Sequence, residues 1–577
     1  MPLKVRCEEP IAFPRPSAQA YSASQALTRL LESLGCTQAF GLVGGAIAPL
    51  SEALLHSALQ VVHCRHEGGA AFAATEAHFA SDRPVVVFVT TGPGILNALT
   101  GVAAARAEGA KLILLSAVTS VNQRGRGAAQ QTDEHSMMMA GVYTAGPLFH
   151  YAVRVEDAAQ LQQVAARLAT GLCRAGGFIA HLSIPTAVQT QAADPAHILP
   201  EVSVALSSPS PAALATCLNR LGDQPFALWL GHGARRAAPW VRQLVERTAC
   251  GVIASCHAKG LLPEGHPAYV GVSGLGGHDS VEAFMATCRP RTTLVLGSRL
   301  AEATSYWSRD LVPADGFIHV DLDPEVFAAA YPEVPTFGIR ADIGLFLQAF
   351  LDILPSVPAR RPAFIALRPP PLLLPTAQGP VRPQYLMQCI QRHCIDTSAA
   401  VVMAESGNSF AWCNHLLRFD APLRYRISPH FGSMGHFVAG VVGAALGRQG
   451  KAVAVVGDGA MLMNCELSTA VQYGAAAVWL VLNDAQYGMV EQGMRALGYT
   501  PVETALPQHD FALWAESHGA QGISVQQEME LDEAIQRAMA APGPVVVDVR
   551  IDRTQASPLL KRIESLIAQG AQAAPKN

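Results

Sequence analysis

Short, largely apolar runs of about three to five residues recur along this chain, separated by segments with helical spacing, and the alternation repeats in three stretches of similar size. Strands that read as continuous apolar runs are buried on both faces, and strands alternating with helices build parallel sheets covered by helices on either side. The first stretch, 20–190, holds such runs at 85–89 and 112–115. The second, 202–354, holds them at 227–230, 293–296 and 318–320. The third, 383–568, holds them at 452–456, 478–482 and 545–549. With 577 residues the chain exceeds what one core can bury. The prediction is therefore an α/β protein of three doubly wound parallel-sheet domains, spanning 18–190, 200–355 and 376–568. Between them, 190–200 is polar with two prolines, and 355–375 carries seven prolines, which no helix or central strand tolerates. The tail 569–577 is expected to fray.

Half of the residues are hydrophobic and 15% are charged, the balance of a compact globular protein. The net charge is −4 and no lysine- or arginine-rich block occurs, so neither nucleic acid nor an anionic membrane is an expected partner. Residues 1–16 lack the apolar core of a signal peptide, and no run of about 20 apolar residues comes after them, so a cytoplasmic location is expected. The twelve cysteines are scattered, with no Cys-x-x-Cys pair and no zinc spacing, and are expected to be buried and reduced.

The most informative stretch is 453–461, where a buried apolar run meets Gly457-Asp458-Gly459. Ligands bind at the carboxyl ends of strands in open α/β sheets. The two glycines allow close backbone approach, and Asp458 offers the hard anionic oxygen that magnesium requires. A helix is expected at 464–473, then a second strand at 478–482 ending in Asn483-Asp484-Ala485-Gln486-Tyr487-Gly488. Two strand ends, each with an acid or amide, can hold one cation between them, and the cation would neutralise a diphosphate.

The segment from Gly457 to Asp484 resembles the cofactor motif of the superfamily that includes acetolactate synthase, pyruvate decarboxylase and benzoylformate decarboxylase. The resemblance implies thiamine diphosphate held through Mg2+, with Asp458, Asp484 and the backbone carbonyl of Gln486 as metal ligands. It implies cofactor contacts from Gly457, Gly459, Ala460 and Met461, and from Tyr487, Gly488 and Met489; Asn464 and Glu466 are read as structural. Arg65-His66-Glu67 resembles the family segment whose glutamate hydrogen-bonds the cofactor's pyrimidine ring, which makes Glu67 the activating acid. Upstream, 40–50 resembles the first glycine loop, with Gly44. Downstream, Gly92-Pro93-Gly94 and Asn97 resemble its Gly-Pro-Gly turn and adjoining helix. Ser433-Met434-Gly435 resembles the loop whose methionine props the bent cofactor. Gly407, Asn408 and Ser409 fall where the family has a diphosphate loop, although the usual Gly-Gln-His is absent. The three domains become pyrimidine-binding, central and diphosphate-binding.

The activity implied is acetolactate-synthase-like: a 2-oxo acid, pyruvate in the first instance, loses carbon dioxide and the acyl carbanion passes to a keto or aldehyde acceptor. The alternatives are a 2-oxo acid decarboxylase that releases an aldehyde, and a non-catalytic family member. Residues 129–133 resemble the synthase Phe-Gln-Glu-Thr-Asp stretch, with Gln130 at its catalytic glutamine but Ala129 in place of the aromatic. The lysine that synthases carry downstream is missing from 146–150, which points to an unusual acceptor. His430, His436 and 486–494 are expected to line the substrate pocket. In the family the active site lies between subunits, so a homodimer or homotetramer is implied. The glycines at 271–277 and Leu296-Gly297-Ser298-Arg299 resemble the flavin region of true synthases, but the residues after Arg299 depart from it, and FAD is not expected. No Gly-x-Gly-x-x-Gly fingerprint supports a nicotinamide site.

Overall fold

The computed structural model describes residues 21–132, 140–202, 206–355, 367–463 and 465–570. Three six-stranded sheets, every pairing parallel, succeed one another along the chain. The first has the spatial order Gln60–His63, Gln38–Gly41, Val85–Val89, Lys111–Val118, Phe178–Pro185, Tyr151–Arg154. The central one runs Tyr269–Val272, Gly251–Ala254, Phe226–Leu230, Thr292–Leu296, Phe317–Asp321, Thr336–Arg340. The third runs Tyr425–Arg426, Val401–Ala404, Ala452–Gly457, Ala477–Asn483, Val545–Arg550, Gln521–Val525. Each apolar run predicted from the sequence lies in one of these strands. Val85–Val89 and Ala477–Asn483 are buried along their whole length, as strands covered on both faces must be.

With strands numbered along the chain, the first and third sheets share the order 2-1-3-4-6-5, whereas the central sheet has 3-2-1-4-5-6. In the first and third the order reverses between strands 1 and 3, and a crevice opens there at the carboxyl ends. Those ends carry 42–45 and 90–94 in the first sheet, and 405–409 and 457–459 in the third.

The outer sheets meet through two helices, Glu67–Ser81 and His436–Arg448. The approach is backbone to backbone: a Cβ on Gly443 would stand 1.8 Å from the Ala73 carbonyl oxygen, and one on Gly447 2.9 Å from that of Ala77. Ala73 and Ala77 share a single core with Val438, Val441 and Val442. Helix Pro93–Glu108 packs as closely on Glu67–Ser81, since a Cβ on Gly101 would lie 2.5 Å from that of Ala71.

The predicted helix 464–473 is shorter, Leu467–Gln472, with Glu466 at its N-cap and the Glu466 carboxylate turned to the Arg65 and His66 amides. Asn464, Asp133 and the ends 1–20 and 571–577 lie outside the described residues. Eleven cysteines are described, all free thiols and eight of them buried. Among the described residues no helix is long and apolar enough to cross a membrane.

Candidate active site

Strands Ala452–Gly457 and Ala477–Asn483 are neighbours with Gly457 opposite Leu482, so the sheet delivers Asp458 and Asp484 side by side. Asp458 opens the short helix Asp458–Met461, and its Oδ1 accepts from the Gly459 amide at 2.8 Å. The nearby main-chain amides of Ala485 and Gln486 favour its charged form; Ala485 adopts a left-handed φ of 54° at this turn. Gln486 Nε2 donates to Asp484 Oδ2 at 3.2 Å. Tyr487 covers Gly459 so closely that a Cβ there would be 2.6 Å from the ring. A Cβ on Gly488 would be 2.9 Å from both Asp484 Oδ2 and Asn408 Nδ2, which brings the Gly407 loop to the same point.

The two carboxylates repel. Burial pushes Asp458 up to about 6; burial and then the Asp458 charge push Asp484 up to about 7. Among the described residues no cation pairs with either, and no group of three or more His, Cys, Asp or Glu side chains forms a metal cluster. A divalent cation between the two would relieve the repulsion, and a third protein donor would have to be an amide or main-chain oxygen. The residues present therefore fit magnesium. Of the Gly407 loop, Gly407 caps helix Asn408–Leu416 at φ 133°, while Ser409 turns inward and its hydroxyl donates to the Glu405 carbonyl at 2.8 Å.

The crevice of the first sheet gathers a second cluster. His66 caps helix Glu67–Ser81, with Nδ1 accepting from the Gly68 amide at 3.0 Å, and this places Glu67 in the first turn. Glu67 is buried, and Asn97 Nδ2 donates to its Oε2 at 3.1 Å. A Cβ on Gly94 would be 3.4 Å from Oε1. Gly92, at φ 55°, caps helix Pro93–Glu108; its amide donates to Thr132 Oγ1 at 2.9 Å. Gln130 sits against that turn with φ 52°, and its Oε1 accepts from the Thr91 hydroxyl at 3.2 Å. Gly44 packs on Thr90, where a Cβ would meet Oγ1 at 2.6 Å. Glu67, Asn97, Gly44, Gly92 and Gln130 thus surround one crevice. No hydrogen bond or ion pair joins Glu67 to Asp458 or Asp484 among the described residues.

Met434 stands between them in sequence and in character. It is 37% exposed, on the loop before helix His436–Arg448. Ser433 Oγ donates to its carbonyl at 3.0 Å, and Gly435 (φ 87°) faces Met463 from the loop just past Asp458. Exposed apolar side chains flank both clusters: Val43 and Leu96 on one, Phe431, Leu462, Met463 and Val490 on the other.

Two further carboxylates brace the site: Glu405, which did not stand out in the sequence, and Glu466, read there as structural. Glu405 is fully buried, and its Oε2 accepts from the Phe437 and Val438 amides at 2.8 and 3.1 Å, which ties the Gly407 loop to the Met434 helix. Glu466 accepts from the Arg65 and His66 amides at 3.1 Å and from Thr469 Oγ1 at 2.5 Å. No local pattern marks either, because the partners are far away in sequence. Of the two histidines expected at the pocket, His436 is not on an open face, whereas His430 is exposed. His436 is fully buried, 2.9 Å from Glu76, and His430 stacks on His257. His436 is held inside by Glu76 and by the Phe72 and Phe437 rings, while His430 stays exposed beside its stacking partner. In the central sheet, a Cβ on Gly274 would be 2.1 Å from the Ala303 carbonyl, and one on Gly276 2.7 Å from that of Ala411. Those glycines serve packing.

Three family models match the chain: the thiamine pyrophosphate enzyme N-terminal TPP binding domain at 21–138, the central domain at 222–350 and the C-terminal TPP binding domain at 405–549. The acetolactate synthase isozyme 1 large subunit of Escherichia coli is 27% identical over 548 residues, covering 92% of this chain and 94% of that protein. "Probable 2-ketoarginine decarboxylase AruI" of Pseudomonas aeruginosa is 28% identical over 561 residues, covering 93% and 95%. Among solved structures, a "putative thiamin diphosphate-dependent enzyme isolated from Mycobacterium smegmatis" superposes with a TM-score of 0.78 at 21% identity, covering 92% of this chain and 99% of that one.

Proposed function

Since this chain belongs to the thiamine pyrophosphate enzyme family, we propose that it is a carboligase of the acetolactate synthase kind, decarboxylating a 2-oxo acid such as pyruvate and passing the acyl group to a keto or aldehyde acceptor. The observation that carries this is the pairing of two clusters at equivalent crevices: the buried Asp458–Asp484 carboxylates, and Glu67 held by Asn97. Thiamine diphosphate, when bound, supplies the electron sink that accepts the pair left by departing carbon dioxide. Asp458, Asp484 and the Gln486 carbonyl would hold Mg2+. Glycine amides of 457–459, together with Asn408 and Gly488, would receive the diphosphate. Glu67 would hydrogen-bond the pyrimidine ring nitrogen and set its tautomer, with Asn97 fixing the carboxylate's direction. Met434 would support the thiazolium side, and Gln130 would face the acceptor.

The active unit is a homodimer or homotetramer in the cytoplasm. Two features support a site completed by a second copy: among the described residues no bond joins the two clusters of one chain, and apolar side chains are exposed around each. The domains are assigned to 18–190, 200–355 and 376–568. A simple decarboxylase is the second reading, favoured by the likeness to a relative named as a 2-ketoarginine decarboxylase. Incubation with thiamine diphosphate, Mg2+ and a panel of 2-oxo acids, with and without aldehydes, and mass spectrometry of the products, separates them. A hydroxyketone or acetohydroxy acid supports the carboligase; aldehyde and carbon dioxide alone would replace it with the decarboxylase.

A further inference from the structure

The segment that leads to Met434 is gripped at four points by the rest of the chain. Arg426 makes a two-pronged pair with Glu76, at 2.9 and 2.8 Å. Ser428 Oγ donates to Glu108 Oε1 at 3.0 Å. The His430 ring lies on that of His257, centroids 5.3 Å apart and planes within 11°. His436 Nε2 is 2.9 Å from Glu76 Oε1. The anchoring carboxylates belong to helices with functional ends: Glu76 to the helix that starts at Glu67, Glu108 to the helix that starts at the Gly92 turn.

The central sheet contributes His257, in the short turn Cys256–Ala258 just after strand Gly251–Ala254. His257 Nε2 is 3.3 Å from Glu108 Oε2, with side chains only 7% and 2% exposed. We propose that His257 is a positioning residue for the Met434 loop: paired with Glu108 and stacked on His430, it lets the central part of the chain hold segment 428–434 against the helix that carries Asn97. The proposal rests on the role given to Met434 above.

The charges at the junction agree with this. Burial disfavours a charged His257, but Cys256 and Glu108 outweigh it and lift the imidazole to about 9. Burial would raise Glu108, but His257 first, then Arg426 and His430, bring it down to about 2. Partial burial and the His257 charge bring His430 down to about 4, so a neutral ring faces a cationic one. His232, edge-on to His257, is also kept neutral by burial and by Arg235. Arg299 faces His430. A histidine raised above its ordinary value contributes fully below that value and loses its contribution as the pH passes about 9. Above that, Glu108 is a buried charge whose nearest cation has gone.

The test is hydrogen exchange of the peptide spanning 425–436 in the full-length protein, corrected for the intrinsic pH dependence. In the wild type, exchange should rise at least about tenfold as pH passes 9, and in His257→Gln it should be fast at every pH. The dissociation constant of thiamine diphosphate, titrated with Mg2+ at neutral pH, should weaken about tenfold in that variant, while kcat at saturating cofactor changes less. If His257→Gln does not fold, as judged by its thermal melt, His430→Gln keeps the ion pair and should loosen the segment while retaining the alkaline step. Exchange identical to wild type in the folded variants, or an alkaline step that survives in His257→Gln, overturns the proposal. Loss of all cofactor binding in the wild type would instead sink the functional reading and leave the exchange result standing.

Discussion

The carboxylate of Glu466 accepts hydrogen bonds from the main-chain amides of Arg65 and His66, 400 residues upstream, at 3.1 Å each. His66 caps the helix that Glu67 opens, so Glu466 fixes the direction in which that helix leaves the sheet. Glu466→Ala leaves two amides without their acceptor, a cost of about 1–3 kcal/mol per unmade buried bond. Glu466→Gln keeps one acceptor oxygen. Steady-state kinetics should show kcat falling about tenfold further in the alanine variant than in the glutamine one. Equal kcat values in the two would mean that the contact does not orient Glu67.

Glu67→Gln removes the negative charge and keeps the shape. Turnover should fall by about 100-fold or more, the scale of a lost acid–base contribution, with circular dichroism and assembly unchanged. Retained turnover would remove Glu67 from the activating role.

The acid pair makes a linkage prediction. Both carboxylates are raised in the folded protein, Asp458 to about 6 and Asp484 to about 7. Between an ordinary value of about 4 and these values, the folded state holds more protons on this pair than the unfolded one, so the pair's own contribution to metal-free stability should fall as pH rises through that window, against the opposite trend of the buried neutral histidines. Mg2+ displaces protons there, so its apparent affinity should rise with pH up to about 7 and then level. Thermal melts at several pH values, with and without Mg2+, read both trends. The pair is isolated by comparison with Asp484→Asn: a metal-free stability difference between the two proteins that does not change with pH from about 4 to about 7 would contradict it.

Gly443 has no room to grow. A Cβ would come within 1.8 Å of the Ala73 carbonyl oxygen, and backbone on both helices would have to move. Gly443→Ala should destabilise by about 1–3 kcal/mol in chemical unfolding and reduce cofactor affinity, because the two helices carry Glu67 and Met434 at their starts.

The strands were legible because parallel sheets covered on both faces leave an uninterrupted apolar run, as at 85–89 and 478–482. Glu67 and Asp458 stood out through the resemblance of Arg65-His66-Glu67 and Gly457-Asp458-Gly459 to family segments, since an acid at a helix start or between two glycines is by itself an ordinary helix-end charge or turn. Glu405, Glu76 and Glu108 were not legible. Each takes its meaning from a partner remote in sequence, such as Arg426 for Glu76 or His257 for Glu108. His436 misled for the same reason: nothing local separates a histidine that faces a ligand from one buried against a remote carboxylate, as His436 is against Glu76.

Gly440, Gly443 and Gly447 have a consequence for chain surgery. With Ala73, Glu76 and Ala77 they form a surface moulded on one particular counterpart, backbone against backbone. Such a seam does not accept parts from a relative piecemeal. A hybrid that takes its first sheet from one parent and its third from another should assemble only when helices Glu67–Ser81 and His436–Arg448 come from the same parent. The natural unit of exchange is thus the helix pair, made of two pieces far apart in the gene.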